Sequence, residues 1–314
     1  MPTLDDAYVL DIHTHWRPAR WQRSATLADG EADPRENLDG LVSESADNGI
    51  DLRALSAPVE QLFGPDGDVT TADINIVNET LLSEVRNRPG FLGLATVDAY
   101  SGEEGAEQAR YAVTELGLHG LVLDSSRHSR FLGSPEAFPT LELAAGLGVP
   151  VFVHPVAAPE SDVLRAVAGR AGNSAGRGLQ NAVAFLSALH ADLPTRLPDL
   201  HLVFTTLGHG GLLYAAEQLA VYRGSEAPNL YFDTMRFSAP VLRYLGDTLG
   251  FDRIIVGSDW PIHRDAQRTH IDNRLAQAGF TSDEQEQIRI GNARKLFGLR
   301  THATAASPTT NGQS

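Results

Sequence analysis

No cysteine occurs among the 314 residues, so disulfides and thiolate metal sites are both excluded, and any transition-metal site must be assembled from His, Asp and Glu. Lysine is nearly missing as well: Lys295 stands alone, and the basic complement is otherwise arginine. No apolar run approaches the roughly 20 residues that span a bilayer. The opening MPTLDDAYVLDIHTH carries acidic residues where a secretory leader would be basic. These absences lead us to expect a cytoplasmic protein with no membrane partner. Positive charge is scarce overall, 25 Lys and Arg against 40 Asp and Glu, for a formal charge of −15. That balance repels a nucleic-acid backbone, and no local basic patch offsets it. A small anionic substrate remains compatible, because a metal and one or two arginines in a cleft reverse the local potential.

What is present is an ordinary globular composition, 42% hydrophobic, with 29 Gly and 17 Pro to punctuate many short connections. Short β-rich apolar runs recur at 8–15, 50–56, 91–98, 120–124, 149–155, 200–206, 229–234 and 253–259. Most are continuous rather than alternating, as parallel strands buried on both faces should be. Helical spacing fills the gaps. Asp33 and Pro34 can open a helix whose face carries Leu38, Leu41, Val42, Ser45 and Ala46 and which Gly49 closes. Ile74, Val77, Leu81 and Val85 mark another, stopped by Pro89-Gly90, and Thr281 with Glu284 has capping-box spacing. Eight strands alternating with helices predict an α/β fold, a closed (β/α)8 TIM barrel, with an open doubly wound sheet as the alternative. Residues 1–300 would form one catalytic domain and 301–314 a disordered polar tail. No glycine-rich phosphate fingerprint follows a strand. The glycine-rich stretch 171–178 lies instead in the longest connection, 156–199, which should project from the catalytic face as a lid or substrate wall.

His13 and His15 end the first strand two residues apart, so both side chains share a face. They are either core histidines bonded to the backbone or a pair of metal ligands. His154 ends the fifth strand in VFVHP and Asp259 ends the eighth in VGSDWP, next to the first once a barrel closes. Three imidazoles and a carboxylate on the carboxy-terminal rim suit zinc, or another first-row divalent ion. His209, after the sixth strand in FTTLGHGG, is a further ligand, an acid/base group beside the metal, or a structural helix-start residue.

In DIHTH, FVHP, the HGG after strand six, NLYFDT, GSDWP and the terminal GNARKLFGL, in this order, the chain resembles the amidohydrolase superfamily from about residue 8 to 299. Within it, the resemblance is to the amidohydrolase-related branch of aminocarboxymuconate-semialdehyde decarboxylase and γ-resorcylate decarboxylase. It implies a single divalent ion, zinc or manganese, on His13, His15, His154 and Asp259, with His209 beside it. Binuclear members bridge two metals through a carboxylated lysine on strand four; that strand here ends in Asp124, and the single Lys295 sits in the last helix. The resemblance also implies a small carboxylate substrate and a homodimer. It departs from the semialdehyde enzyme after His154, where the tryptophan associated with that enzyme is missing.

Trp16 and Arg17, directly after the metal pair, suggest an aromatic wall and a carboxylate clamp. Arg127, Arg177, Asp233, Arg236 and His263 also follow strands or sit in the long connection, but surface or lid roles fit them equally well. The favoured reaction is metal-dependent decarboxylation of an aromatic or unsaturated cyclic carboxylate, with Asp259 or His209 supplying the proton. The alternatives are hydrolysis of a lactone, ester or amide by metal-bound hydroxide, and metal binding without catalysis.

Overall fold

The computed structural model describes residues 4–18, 38–205, 211–223, 229–235, 237–263 and 266–303. Eight parallel strands pair in sequence order: β1 (Leu10–His15), β2 (Leu52–Ser56), β3 (Phe91–Thr96), β4 (Gly120–Asp124), β5 (Val151–His154), β6 (Leu202–Phe204), β7 (Leu230–Asp233) and β8 (Ile254–Ile255). Each falls inside one of the eight runs read from the sequence. Backbone bonds from Ile12 N to Val256 O (2.9 Å), His15 N to Trp260 O (2.8 Å) and Asp259 N to His13 O (2.9 Å) join the first strand to the stretch after the last and close the barrel. The open sheet is thereby excluded.

Strand parity sorts the apolar residues into two layers. Leu10, Ile12, Ala54, Leu94, Val122, Phe152, Val203, Tyr231 and Ile255 fill the barrel interior together with Ile290, Ala293, Leu296 and Phe297 from the carboxy-terminal helices. Leu55, Leu121, Leu123, Val151, Val153, Leu202, Phe204, Leu230 and Phe232 point outward and meet the helical shell. Filling the barrel with side chains leaves only its rim free for chemistry.

The helices carry the expected signals. Leu38–Asn48 buries Leu38, Leu41 and Ser45 and ends at Gly49, whose φ of +67° suits glycine. Thr71–Asn87 buries Ile74, Val77 and Leu81. Thr281 and Glu284 form a reciprocal capping box. The proposed opening at Asp33 and Pro34 lies outside the described residues. The last helix continues past residue 300 to Ala303, and the rest of the polar tail lies outside them too. The connection 156–199 is mostly one long helix, Ser161–His190, kinked at Gly169 (φ +59°).

Candidate metal centre

Moving one alternation up from the interior layer names the floor of the site. Phe152 leads to His154 on β5, Tyr231 to Asp233 on β7, Val203 to Thr205 after β6 and Val122 to Asp124 on β4, all buried. β1 obeys a different rule. Leu10 and Ile12 face inward, so strict alternation would send His13 and His15 into the helical shell. A bulge prevents this: Asp11 pairs with Arg53 and Thr14 with Leu55, so β1 spends one more residue than β2 over the same span. Both histidines are thereby turned to the interior. The bulge is held by Asp11, whose Oδ1 accepts from His13 N (3.1 Å) and Ser258 N (2.9 Å) and whose Oδ2 accepts from Ser258 Oγ (2.6 Å). Arg53 forms a buried ion pair with the same carboxylate. One carboxylate therefore ties the DIHTH strand to the GSDWP loop.

The ligand atoms of His13, His15 and His154 lie within 4.8 Å of one another. His13 Nε2 and His15 Nε2 are 3.1 Å apart, and Asp259 Oδ1 lies 3.0 Å from His15 Nε2 and 3.3 Å from His13 Nε2. Two nitrogens bound at about 2.0–2.1 Å to one divalent ion stand about 2.8–3.4 Å apart at octahedral to tetrahedral angles. The observed spacings match. His13 Nδ1 sits 2.8 Å from Asp233 Oδ2 and 2.7 Å from Thr205 Oγ1. A proton on Nδ1 facing Asp233 leaves Nε2 as a lone pair aimed at its neighbours. Gly257 makes room for that carboxylate, since a Cβ there would stand 2.8 Å from Asp233. Asp259 adopts a left-handed backbone, φ +63°, which Asp tolerates better than most residues.

Charge states suit a cation. Burial depresses His15, and His13 beside it adds to the effect against the pull of Asp259. Burial, then His15, His13 and Arg177, hold His154 well below the ordinary imidazole value. Burial works against ionised Asp259, but His13 and His15 outweigh it and lower its pKa. Burial likewise opposes charge on His13, where Asp259, Asp233 and Asp11 reverse the balance and raise it. His15 Nδ1 and His154 Nδ1 are buried without hydrogen-bond partners. A buried cluster of imidazoles beside a carboxylate is costly unless a cation draws the lone pairs together. The residues present fit one divalent ion.

Beside the cluster lies a cavity of about 220 Å³, lined by His13, His15, His154 and Asp259 and by Gln61, Arg165, Arg170, Asn173, Arg177 and His263 among others. Neither Trp16 nor Arg17 lines it. Alternation after His15 turns Trp16 outward, where it joins the layer between strands and helices. His209 and Arg236 lie outside the described residues. Arg177 instead reaches the cavity, paired with Glu60 through Nη1 (2.8 Å) and Nη2 (3.1 Å). Sequence reasoning named it but left it evenly balanced with a lid role, because it treated the glycine-rich stretch as a connection rather than as a helix face. Asp124 does not reach the ligand cluster: its Oδ2 accepts from Glu60 N (2.9 Å), and burial, then Glu60, raise its pKa well above the usual carboxylate range.

A closed parallel barrel with a histidine and aspartate cluster on its carboxy-terminal rim defines a class of metal-binding barrel proteins. The chain belongs to the Amidohydrolase family, which matches residues 10–299. It is similar to 2-amino-3-carboxymuconate-6-semialdehyde decarboxylase of Dictyostelium discoideum, 23% identical over 92% of this chain and 91% of that protein. Its fold resembles 5-carboxyvanillate decarboxylase from Sphingomonas paucimobilis (TM-score 0.73, 22% identity, 92% of this chain and 98% of that one). It also resembles dihydroxybenzoic acid decarboxylase from Polaromonas, solved with manganese and 2-nitroresorcinol (TM-score 0.75, 20% identity, 93% and 97%). Among the described residues, no helix is long and apolar enough to cross a membrane.

Proposed function

We propose that this protein is a mononuclear metal-dependent decarboxylase acting on a small ring carboxylate. The observation that carries the reading is the convergence of His13 Nε2, His15 Nε2 and Asp259 Oδ1 within 3.3 Å in the wall of a ring-sized cavity. An apolar cavity of about 150 Å³ accepts one benzene, so about 220 Å³ suits a single substituted ring. The decarboxylases to which the chain is similar support the choice of reaction over hydrolysis.

His13, His15, His154 and Asp259 would hold the ion, zinc by the nitrogen-rich donor set, with manganese the second choice after the Polaromonas neighbour. When bound, such an ion supplies Lewis acidity toward a substrate carboxylate and an adjacent oxygen. The protein's own part is positional. Asp233 and Thr205 orient His13, and the Asp11 bonds set the distance between β1 and the Asp259 loop. The long helix forms the facing wall that holds the ring in place. As CO2 leaves, the C–C electron pair stays on the ring carbon and takes up a proton. Asp259 or His209 would supply it, and His263 Nε2, 3.9 Å from Asp259 Oδ2 at the cavity wall, stands where it could relay it. We take the enzyme to be cytoplasmic and homodimeric, with residues 1–300 as one catalytic domain.

The test is to quantify bound metal in purified protein and follow CO2 release and hydrolytic products over hydroxylated aromatic carboxylates and lactones. His13→Ala and His154→Ala should lose metal and CO2 release together. Turnover retained without bound metal, or lactone cleavage in place of CO2 release, overturns the reading.

A further inference from the structure

We propose that the long helix Ser161–His190 carries an anion subsite, centred on Arg177 with Arg170 and Arg165 further out, which selects substrates bearing a second carboxylate. This deepens the decarboxylase reading and rests on it for the role of the first carboxylate.

Arg170, Asn173, Ser174 and Arg177 follow the spacing i, i+3, i+4, i+7, so they form one stripe of the helix, and all four line the cavity. Arg165, from the segment before the kink at Gly169, lines it too. Small residues make this convergence feasible. A Cβ at Gly172 would sit 2.0 Å from Leu164 O, and one at Gly176 would sit 2.8 Å from Leu164 Cδ1, so only glycine lets the two halves of the helix fold together. A chain with a net charge of −15 thus places three guanidiniums on one wall of one cavity. Among the described residues that line it, Asp259 is the one carboxylate, and it belongs to the ion site.

Arg177 is built for this role. Its end-on edge is held by Glu60, Nη1 to Oε2 at 2.8 Å and Nη2 to Oε1 at 3.1 Å, and Nη1 also donates to Pro155 O at 2.7 Å. Glu60 is itself anchored by Ala157 N at 2.8 Å. These bonds use three of the roughly five N–H groups of a guanidinium. Nε–H and the second Nη2–H remain, and together they form the side-on fork that matches a carboxylate. The guanidinium is thus fixed beside His154 and Pro155 with a two-pronged donor still available. A departing carboxylate held at the ion site leaves this fork for another anionic substituent, with Arg170 and Arg165 lining the same wall.

The experiment is calorimetric titration of the metal-loaded protein with isophthalate and with 3-carbamoylbenzoate, which has the same outline but a neutral second group. A charge-assisted fork predicts that isophthalate binds about 10- to 100-fold more tightly. Arg170→Gln and Arg165→Gln, at exposed positions, should each shrink that ratio. Arg177→Lys, which keeps the charge toward Glu60 but loses the fork, should largely abolish it, with circular dichroism verifying the fold. Equal affinities for the two probes in the wild type, or a ratio unchanged in both Arg170→Gln and Arg177→Lys, overturns the subsite. Because binding is read without turnover, an intact ratio with no CO2 release would refute the decarboxylase and spare the subsite. CO2 release from monocarboxylates with no preference between the probes would do the reverse.

Discussion

Replacing Asp233 by Asn separates two tasks that one carboxylate performs. Asp233 Oδ2 meets His13 Nδ1 at 2.8 Å, while Oδ1 accepts from Met235 N at 3.2 Å. Asparagine has the same outline but only one acceptor oxygen. Pointing it at His13 sets an amide N–H against Met235 N–H; pointing it at Met235 sets that N–H against the imidazole. The crowding of Gly257 against this side chain leaves little room to rotate out of the conflict. Either way, the group that fixes the proton on Nδ1 and sharpens the Nε2 lone pair is weakened. Losing such a partner costs about 10- to 100-fold in metal affinity, or about 1.4–2.7 kcal/mol. Thr205 Oγ1, 2.7 Å from the same nitrogen, keeps the loss at the lower end, and Asp233→Asn combined with Thr205→Val should reach the upper end. Competition against a chromophoric zinc chelator at fixed pH measures this directly. Wild-type affinity in a folded double variant would show that His13 is not the ligand these residues orient.

Two further expectations concern stability. Arg53→Met strands the buried Asp11 carboxylate, and breaking a buried ion pair costs about 3–5 kcal/mol; the urea midpoint should fall sharply, and Asp11→Asn added to it should cost much less than the sum. Equal, additive losses would mean that the pair is not coupled. His201, half-buried near Lys295, is held below the ordinary imidazole value first by burial and then by that ammonium. Its unfolded form takes up a proton near pH 6.5 while the folded form resists, so below that pH the unfolded state binds more protons and this contribution to stability falls as pH drops. His201→Gln should flatten the dependence of the urea midpoint between pH 7 and 5, and an unchanged slope would contradict the assignment.

The barrel was legible because its strands are buried on both faces. A run such as VPVFVHP has no polar side to confuse with a surface strand, and the positive-φ glycines at 49 and 90 sit where the periodic patterns stop. His154 was legible for the same reason: β5 is regular, so parity carries Phe152 directly to it. Asp259 followed from its place after the eighth run, although the irregular, left-handed backbone that presents it has no sequence signature beyond the glycine two residues earlier.

His13 and His15 both face the interior for a reason that alternation does not contain. The rule that puts both on one face also puts Leu10 and Ile12 on the opposite one, and those two residues fill the barrel. Only the extra residue between Asp11 and Thr14 reconciles a packed interior with a histidine pair on the same side, and that bulge depends on bonds from Asp11 to Ser258, almost 250 residues away. Arg177 could not be told from a lid residue because of the same kind of remoteness. Its placement depends on Glu60 from a different connection and on glycines that look like a loop until a second helical segment packs against them. Residues whose role is set by strand parity can be read locally, whereas those set by a bulge or a kink need the partner that closes it. Arg17, adjacent to His15 in sequence, was therefore the natural choice for a clamp, whereas Arg177, remote in sequence, lines the cavity.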